Sequence, residues 1–189
     1  TFENLDKAIR LLRKHNKNVG LNVVVSNKNI DILEDIAGYA SSRKLGSMLL
    51  LRYKPSGRAK HDYDKFKLSD MQNIEFYDKL MKIQKENKMK VYIDCSFVPM
   101  LSSHDVPRKI LEFFAVMGCD GGDSLIAVDP EGRMNACSFA QDVACDVLDI
   151  DKSWDDDEHL NRFRRWTDDA KEPCRSCDML DMCKGGCHV

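Results

Sequence analysis

The chain has 189 residues, of which 43% are hydrophobic and 32% are charged. This length allows one large or two small domains with a buried core, and the composition is that of a globular protein. The net charge is -2 and basic residues are spread along the chain, so there is no electrostatic footprint for nucleic acid. No apolar run approaches the length of a bilayer span and no signal peptide opens the chain. The sequence therefore predicts neither a nucleic-acid partner nor a membrane partner.

Residues 1–95 alternate predicted helices with predicted strands. Buried β-branched or apolar runs at 18–26, 47–53 and 90–95 predict three strands. Helices are predicted before the first strand, from Asn29, and from a capping box formed by Ser69 and Gln72. This alternation favours parallel strands joined by right-handed crossovers, an α/β architecture. Three such units do not close a barrel, so strands that precede this chain are expected to be missing from it.

The pattern changes after a boundary that we place near residue 105. Residues 107–117 predict a short helix, and residues 124–137 predict a β-hairpin around the turn DPEG. A further helix is predicted over residues 154–166, followed by a Cys-rich segment of loop-sized pieces. The sequence thus predicts two units, residues 1–105 and residues 106–189.

Six of the eight cysteines fall into one spaced pattern. The first two form C-x12-G-x4-C around Gly132, and the last four form C-x2-C-x5-C-x3-C. In order they are Cys119, Cys137, Cys174, Cys177, Cys183 and Cys187. Without a secretory signal, eight cysteines favour a reducing, cytoplasmic location, where such spacings more often bind metal than form disulfides. Thiolates are the soft ligands that iron–sulfur clusters and zinc select.

This pattern, which ends in CKGGC, resembles the SPASM domain of radical S-adenosylmethionine enzymes over about residues 119–187. Residues 1–60, with LNVVVSNKN and then KPSGRA, are similar to the second half of the partial (β/α)6 barrel that precedes such a domain. The resemblance implies an α/β half-barrel over 1–105, followed over 106–189 by a small Cys-rich α+β SPASM domain with a β-hairpin. It also implies that the chain is the C-terminal portion of a longer enzyme, truncated at both ends.

The resemblance assigns the cysteines to two auxiliary [4Fe–4S] clusters. The inner cluster takes Cys119, Cys137 and Cys187, and the outer cluster takes Cys174, Cys177 and Cys183 with a seventh cysteine expected beyond Val189. The inner cluster often has another cysteine between the first two, but residues 120–136 contain none. Its fourth site is therefore open, or filled by Cys145 or Cys95. The alternation of Cys95 with Val91 and Ile93 favours a small buried hydrophobic residue instead.

The catalytic signature of that family, C-x3-C-x2-C, is absent from these residues. The chain alone is therefore expected to be inactive. The full-length enzyme would bind S-adenosylmethionine and a further [4Fe–4S] cluster. The resemblance implies an oxidoreductase that modifies peptides or proteins, with small-molecule substrates as the minority case. It also implies an electron donor such as flavodoxin or ferredoxin.

Two alternatives remain open at this point. Four cysteines at 174–187 with the adjacent His188 satisfy tetrahedral zinc, which predicts a zinc-stabilised, non-catalytic interaction domain. Zinc can also replace a lost cluster. Ser26 and Asn29 follow the first predicted strand, where ligands bind in barrel folds, so they are candidate cofactor-binding residues. A plain helix N-cap is the alternative role for Asn29.

Overall fold

The computed structural model describes residues 1–102 and 104–188. The part before residue 105 contains three strands: β1 (Gly20–Val25), β2 (Ser47–Arg52) and β3 (Lys90–Ile93). Five helices accompany them: α1 (Phe2–Lys14), α2 (Leu33–Ser42), α3 (Tyr63–Phe66), α4 (Asp70–Glu86) and α5 (Val98–Ser102). The strands form a parallel sheet in the order β1-β2-β3, with Gly20 opposite Ser47 and Ser47 opposite Lys90. The predicted alternation and parallel pairing are confirmed.

Helix α4 shows how closely local sequence and packing agree in this unit. The Ser69 hydroxyl accepts a hydrogen bond from the Gln72 amide at 3.2 Å, and the Gln72 side chain accepts one from the Ser69 amide at 3.0 Å. This reciprocal capping box satisfies two amides that the first turn would leave without partners. Phe76, Leu80 and Ile83 then face inward and are fully buried, as their spacing predicts.

Helix α1 departs from its predicted packing. The sequence places Leu5, Ala8, Ile9 and Leu12 on one apolar face. Only Ile9 is buried, while Leu5 and Leu12 are 42% and 43% exposed. Polar contacts also join the helix to α2, since Asp6 accepts hydrogen bonds from the Tyr39 hydroxyl at 2.8 Å and from Arg43 Nε at 2.7 Å.

These contacts predict a pH dependence. The hydrogen bonds from Tyr39 and then Arg43 lower the pKa of Asp6 from 3.8 to about 2. Because the folded-state pKa lies below the unfolded-state value, ionised Asp6 stabilises the fold above about pH 4. This contribution is lost as the pH falls toward about 2. Asp6→Asn should therefore lower stability at neutral pH and reduce the stability lost on acidification, measured as urea midpoints at about pH 6 and about pH 3. If the parent and Asp6→Asn lose equal stability between these two pH values, the prediction is contradicted.

The part of the chain after residue 105 is built from short elements. Its helices are α6 (Arg108–Phe113), α7 (Ile150–Ser153), α8 (Glu158–Arg164) and α9 (Leu180–Cys183). Its strands are β4 (Ala127–Val128), β5 (Arg133–Asn135) and β6 (Cys145–Asp146), in an antiparallel sheet of order β4-β5-β6. The predicted hairpin is present as β4 and β5, although its strands are shorter than expected. The third strand, β6, was not predicted, because a strand of two residues is too short to show alternating hydrophobicity.

Buried side chains form two clusters. The first runs from Ile9 to Val116 and takes in Met182 of α9, while the second contains Met134, Ala136, Leu160 and Phe163. Leu111 and Phe114 belong to the first cluster, although they follow the boundary predicted near residue 105. Met182 joins the C-terminal segment to the core that underlies the parallel sheet. Across 1–102 and 104–188, none of the helices has the length and apolarity needed to cross a bilayer.

Candidate metal centre

The carboxyl ends of β2 and β3 carry an ion pair that is largely buried. Lys54 Nζ lies 3.1 Å from Asp94 Oδ2, and the two side chains are only 10% and 13% exposed. The other carboxylate oxygen of Asp94 accepts a hydrogen bond from the Ser96 amide at 3.0 Å. That contact caps the short 3-10 helix Cys95–Phe97, so Asp94 fixes the backbone that presents Cys95.

Three thiols converge beside this ion pair. The Cys95 thiol hydrogen-bonds to Cys119 and to Cys187, and all three residues are partly buried. The Gly121 amide donates to Cys119 Sγ at 3.4 Å. Cys95 is in neither cluster of buried apolar side chains. The expectation that Cys95 is a small buried hydrophobic residue is therefore revised, since its side chain contacts two thiols that belong to the spaced pattern.

The electrostatics show that these thiols are strongly coupled. Hydrogen bonds to Cys119 and Cys187, together with burial, raise the pKa of Cys95 well above its ordinary value. The same bond from Cys95 lowers the pKa of Cys119, although burial opposes this. Three neighbouring thiols do not all ionise without a compensating positive charge, because each thiolate disfavours the next. A bound metal would supply such a charge, and thiolates are the donor type that soft metal centres take.

Lys54 adds a fixed positive charge nearby. Burial alone would lower its pKa, but the Asp94 carboxylate and the thiols of Cys187 and Cys95 outweigh burial, so the pKa of Lys54 is raised. Its ammonium also lies 4.6 Å from the centroid of the Phe139 ring. Lys54 therefore remains charged beside the thiols.

Two consecutive glycines bring the C-terminal segment into contact with this site. Gly185 and Gly186 have φ values of 74° and 77°, a left-handed conformation that glycine adopts without strain. A Cβ at Gly186 would lie 2.7 Å from Pro99 Cγ and 3.2 Å from the Cys95 carbonyl oxygen. A Cβ at Gly185 would clash with the Trp166 ring. Larger residues here would thus push Cys187 away from Cys95.

The remaining three cysteines of the last motif form a second thiol group. Burial raises the pKa of Cys183; the Gly185 amide opposes this, and the charges of Cys174 and Cys177 raise it further. The Met179 amide donates to Cys177 Sγ at 3.4 Å. Cys183 ends α9, and the next residue, Lys184, turns the chain with a φ of 46°. The structure thus brings together Cys174, Cys177 and Cys183, which the sequence assigns to one cluster.

Cys145 lies on the antiparallel sheet, and Cys137 lies shortly after one of its strands. Cys137 follows β5 and is 7% exposed. The Gly122 amide donates to the Ala136 carbonyl at 3.0 Å, so the backbone before Cys137 runs beside the segment after Cys119. Cys145 lies opposite Met134 on β6 and packs against the second apolar cluster. In residues 1–102 and 104–188, no group of three or more Cys, His, Asp or Glu side chains has an arrangement that could hold a metal ion.

Ser26 and Asn29 lie at the carboxyl end of β1, but their polar groups serve the turn itself. Asn29 Oδ1 accepts from the Ser26 amide at 2.9 Å, and Asn29 Nδ2 donates to the Val24 carbonyl at 2.8 Å. The Ser26 hydroxyl accepts from the Lys28 amide at 3.3 Å. Asn29 occupies the N-cap position of the 3-10 helix Ile30–Ile32, as predicted, but its side chain makes no capping bond and binds the preceding turn instead.

A cavity of about 240 Å³ lies at the same edge of the sheet. Its lining includes Arg52, Tyr53, Lys54, Tyr63, Ser96 and Cys187. Arg52 and Lys54 were not among the site residues predicted from the sequence. The available signal was their position at the carboxyl end of a predicted parallel strand, where ligands bind in open and barrel-like α/β sheets.

No protein-family model matches the sequence, and no curated protein matches it. Among solved structures, the chain is similar to SuiB of Streptococcus suis bound to S-adenosylmethionine, with a TM-score of 0.66 and 17% identity over 96% of this chain. A second structure of Streptococcus suis SuiB matches with a TM-score of 0.63 and 17% identity, again over 96% of this chain. The chain spans 43% and 44% of the lengths of these two chains.

At this level of identity the likeness shows a shared fold. The prediction of a mixed α/β chain is confirmed by the parallel sheet and its helices, and the fold is similar to that of SuiB.

Proposed function

We propose that this chain is the C-terminal portion of a radical S-adenosylmethionine enzyme whose Cys-rich part binds auxiliary [4Fe–4S] clusters. The observation that supports this most strongly is the contact of Cys95 with Cys119 and Cys187 at the carboxyl edge of a parallel sheet. Clustered thiols next to close-packed glycines are what an iron–sulfur site requires. The likeness to a fold that binds S-adenosylmethionine in SuiB favours this proposal over a zinc-stabilised interaction domain.

In this proposal the residues of the chain hold and tune two clusters. Cys119 and Cys187, with Cys137, hold the inner cluster, and Cys174, Cys177 and Cys183 hold the outer one. Lys54 keeps a positive charge next to the inner thiolates, which favours the more negative, reduced state of the site. When bound, the clusters supply electron acceptance or a site that orients substrate. Asp94 restrains both Lys54 and the turn that carries Cys95.

The wider activity is part of the same proposal. Cleavage of S-adenosylmethionine requires the C-x3-C-x2-C motif that these residues lack, so we assign it to a preceding portion of the enzyme with its own [4Fe–4S] cluster. The turn of Ser26 and Asn29 lies at the sheet edge where that cofactor would bind. We propose a peptide or protein substrate, and a flavodoxin or ferredoxin as electron donor. The domain division at residue 105 and the cytoplasmic location belong to this proposal.

Anaerobic reconstitution with iron and sulfide tests the proposal. The chain should turn brown and hold iron and acid-labile sulfide in similar amounts. Cys119→Ala and Cys183→Ala should each remove about half of the iron, because they belong to different four-iron clusters.

Two results would contradict the proposal. A colourless protein that contains stoichiometric zinc after the same treatment would support the interaction domain instead. Loss of all iron in both single variants, with the fold intact by circular dichroism, would show that the two-cluster division is wrong.

A further inference from the structure

We infer that Cys95 is a ligand of the inner cluster, an inference that rests on the proposed function. A [4Fe–4S] cluster is held by four thiolates, and Cys119, Cys137 and Cys187 supply three. Two cysteines lie outside the spaced pattern, Cys95 and Cys145. The structure distinguishes them by what each side chain contacts.

Contacts with the other ligands favour Cys95. Its thiol hydrogen-bonds to both Cys119 and Cys187, which come from separate parts of the chain. The backbone is equally close, because the Cys95 carbonyl oxygen lies 3.2 Å from where a Cβ at Gly186 would sit. Residues 95, 119 and 187 therefore meet through side chains and, at Gly186, through close backbone packing.

The backbone of Cys95 is also held in place. Asp94 accepts a hydrogen bond from the Ser96 amide at 3.0 Å and pairs with Lys54 at 3.1 Å. Phe97, at the end of the same 3-10 helix, stacks on Phe76 with 4.1 Å between ring centroids. Both ends of the turn are thus anchored to the sheet or to the core, which is the preorganisation that a metal ligand requires.

Cys145 makes different contacts. It lies in β6 opposite Met134, which is fully buried, and it packs against the second apolar cluster, as Cys119 also does. Among the contacts described for 1–102 and 104–188, no hydrogen bond involves the Cys145 side chain, whereas the Cys95 thiol bonds to two of the proposed ligands. Lys54 interacts electrostatically with both Cys95 and Cys187. A lysine beside the thiolates of a negatively charged cluster stabilises it.

An inner cluster that includes Cys95 would link two parts of the chain. Cys95 follows β3 of the parallel sheet, whereas Cys119 and Cys187 belong to the Cys-rich unit. A cluster bound by all three would fasten the sheet to that unit by metal–sulfur bonds. Cluster binding should therefore stabilise both units together.

The test compares Cys95→Ala with Cys145→Ala in the complete 189-residue chain, reconstituted anaerobically with iron and sulfide. Iron per chain and the electron paramagnetic resonance spectrum of the reduced protein are measured. Cys145→Ala should match the parent in both. Cys95→Ala should lose up to about half of the iron, or keep a three-iron form with an altered spectrum, because one iron has lost its thiolate. Cys95→Ser, which preserves the side-chain size, should keep the fold and show a shifted spectrum of the inner cluster.

The outcomes separate this inference from the function on which it rests. If the parent binds iron while Cys95→Ala and Cys95→Ser equal it in iron and spectrum, Cys95 is not a ligand and the proposed function stands. If Cys145→Ala alone loses iron, Cys145 is the fourth ligand and the inference is overturned. If the parent itself binds no iron or sulfide, the proposed function fails and the inference fails with it.

Discussion

Gly118→Ala is expected to detach the C-terminal segment from the core and to lower the free energy of unfolding by about 2–4 kcal/mol. A Cβ at this position would clash with the Cys183 carbonyl oxygen and would lie 2.6 Å from both the Cys183 carbonyl carbon and Lys184 Cβ. The obstacle is backbone that cannot rotate away. The Gly118 amide also donates to the Met182 carbonyl at 2.8 Å, so any retreat breaks this bond. Since Gly118 precedes Cys119 and packs on Cys183, both thiol groups should be displaced and iron uptake should fall.

Gly38→Ala is the matched control. Gly38 lies within α2, and a Cβ there would have nothing within 4 Å. Alanine should be neutral or stabilise the chain by up to about 1 kcal/mol, because it is the better helix former. Urea unfolding of both variants, with iron content after reconstitution, measures the difference. A Gly118→Ala midpoint equal to that of the parent would show that the close approach is not required.

Phe76→Ala should be the second large effect, with a loss of about 3–5 kcal/mol. Phe76 is fully buried in α4 and stacks on Phe97 at an interplanar angle of 7°. Truncation opens a cavity beneath the 3-10 helix that carries Cys95. Besides losing stability, the variant should hold its inner cluster less firmly, seen as faster loss of iron to a chelator.

Ile74→Ala, on the exposed side of the same helix, controls for helix propensity. Ile74 is 55% exposed, so its truncation should change stability by less than about 0.5 kcal/mol and leave iron retention unchanged. Equal urea midpoints for the two variants would mean that the Phe76–Phe97 stack does not support this region.

Hydrophobic periodicity predicted the buried face of α4 correctly, but not that of α1. In α4, spacing predicted both the capping box and the apolar face of Phe76, Leu80 and Ile83, and this face is buried in the same core as the parallel sheet. In α1 the same reasoning predicts a buried face of four residues, and only Ile9 is buried. Spacing shows that a face is apolar, whereas burial depends on a neighbour that local sequence does not specify.

Among the cysteines, too, spacing predicted the groups that are local in sequence but not the contacts between distant segments. Spacing grouped Cys174, Cys177 and Cys183, which are close in sequence and close in space. It failed for Cys95, because the alternation with Val91 and Ile93 was extended beyond the end of β3 at Ile93. The contact of Cys95 with Cys119 and Cys187 arises from tertiary folding across distant segments, so no local pattern encodes it. The position of Lys54 at the carboxyl end of a predicted strand marked it as a candidate, but its ion pair with Asp94 joins two strands and follows only from tertiary folding.

The packing of Met182 into the first core has a consequence for the timing of assembly. Cys187 can meet Cys95 only after α9 has docked on the parallel sheet, and that docking requires a segment synthesised long after β3. The three thiols therefore do not coexist as a site on a nascent chain. Iron and sulfide would therefore bind after the sheet has folded and the C-terminal segment has docked on it. The docking of this segment, rather than the synthesis of the last cysteine, would set the time at which the cluster can assemble.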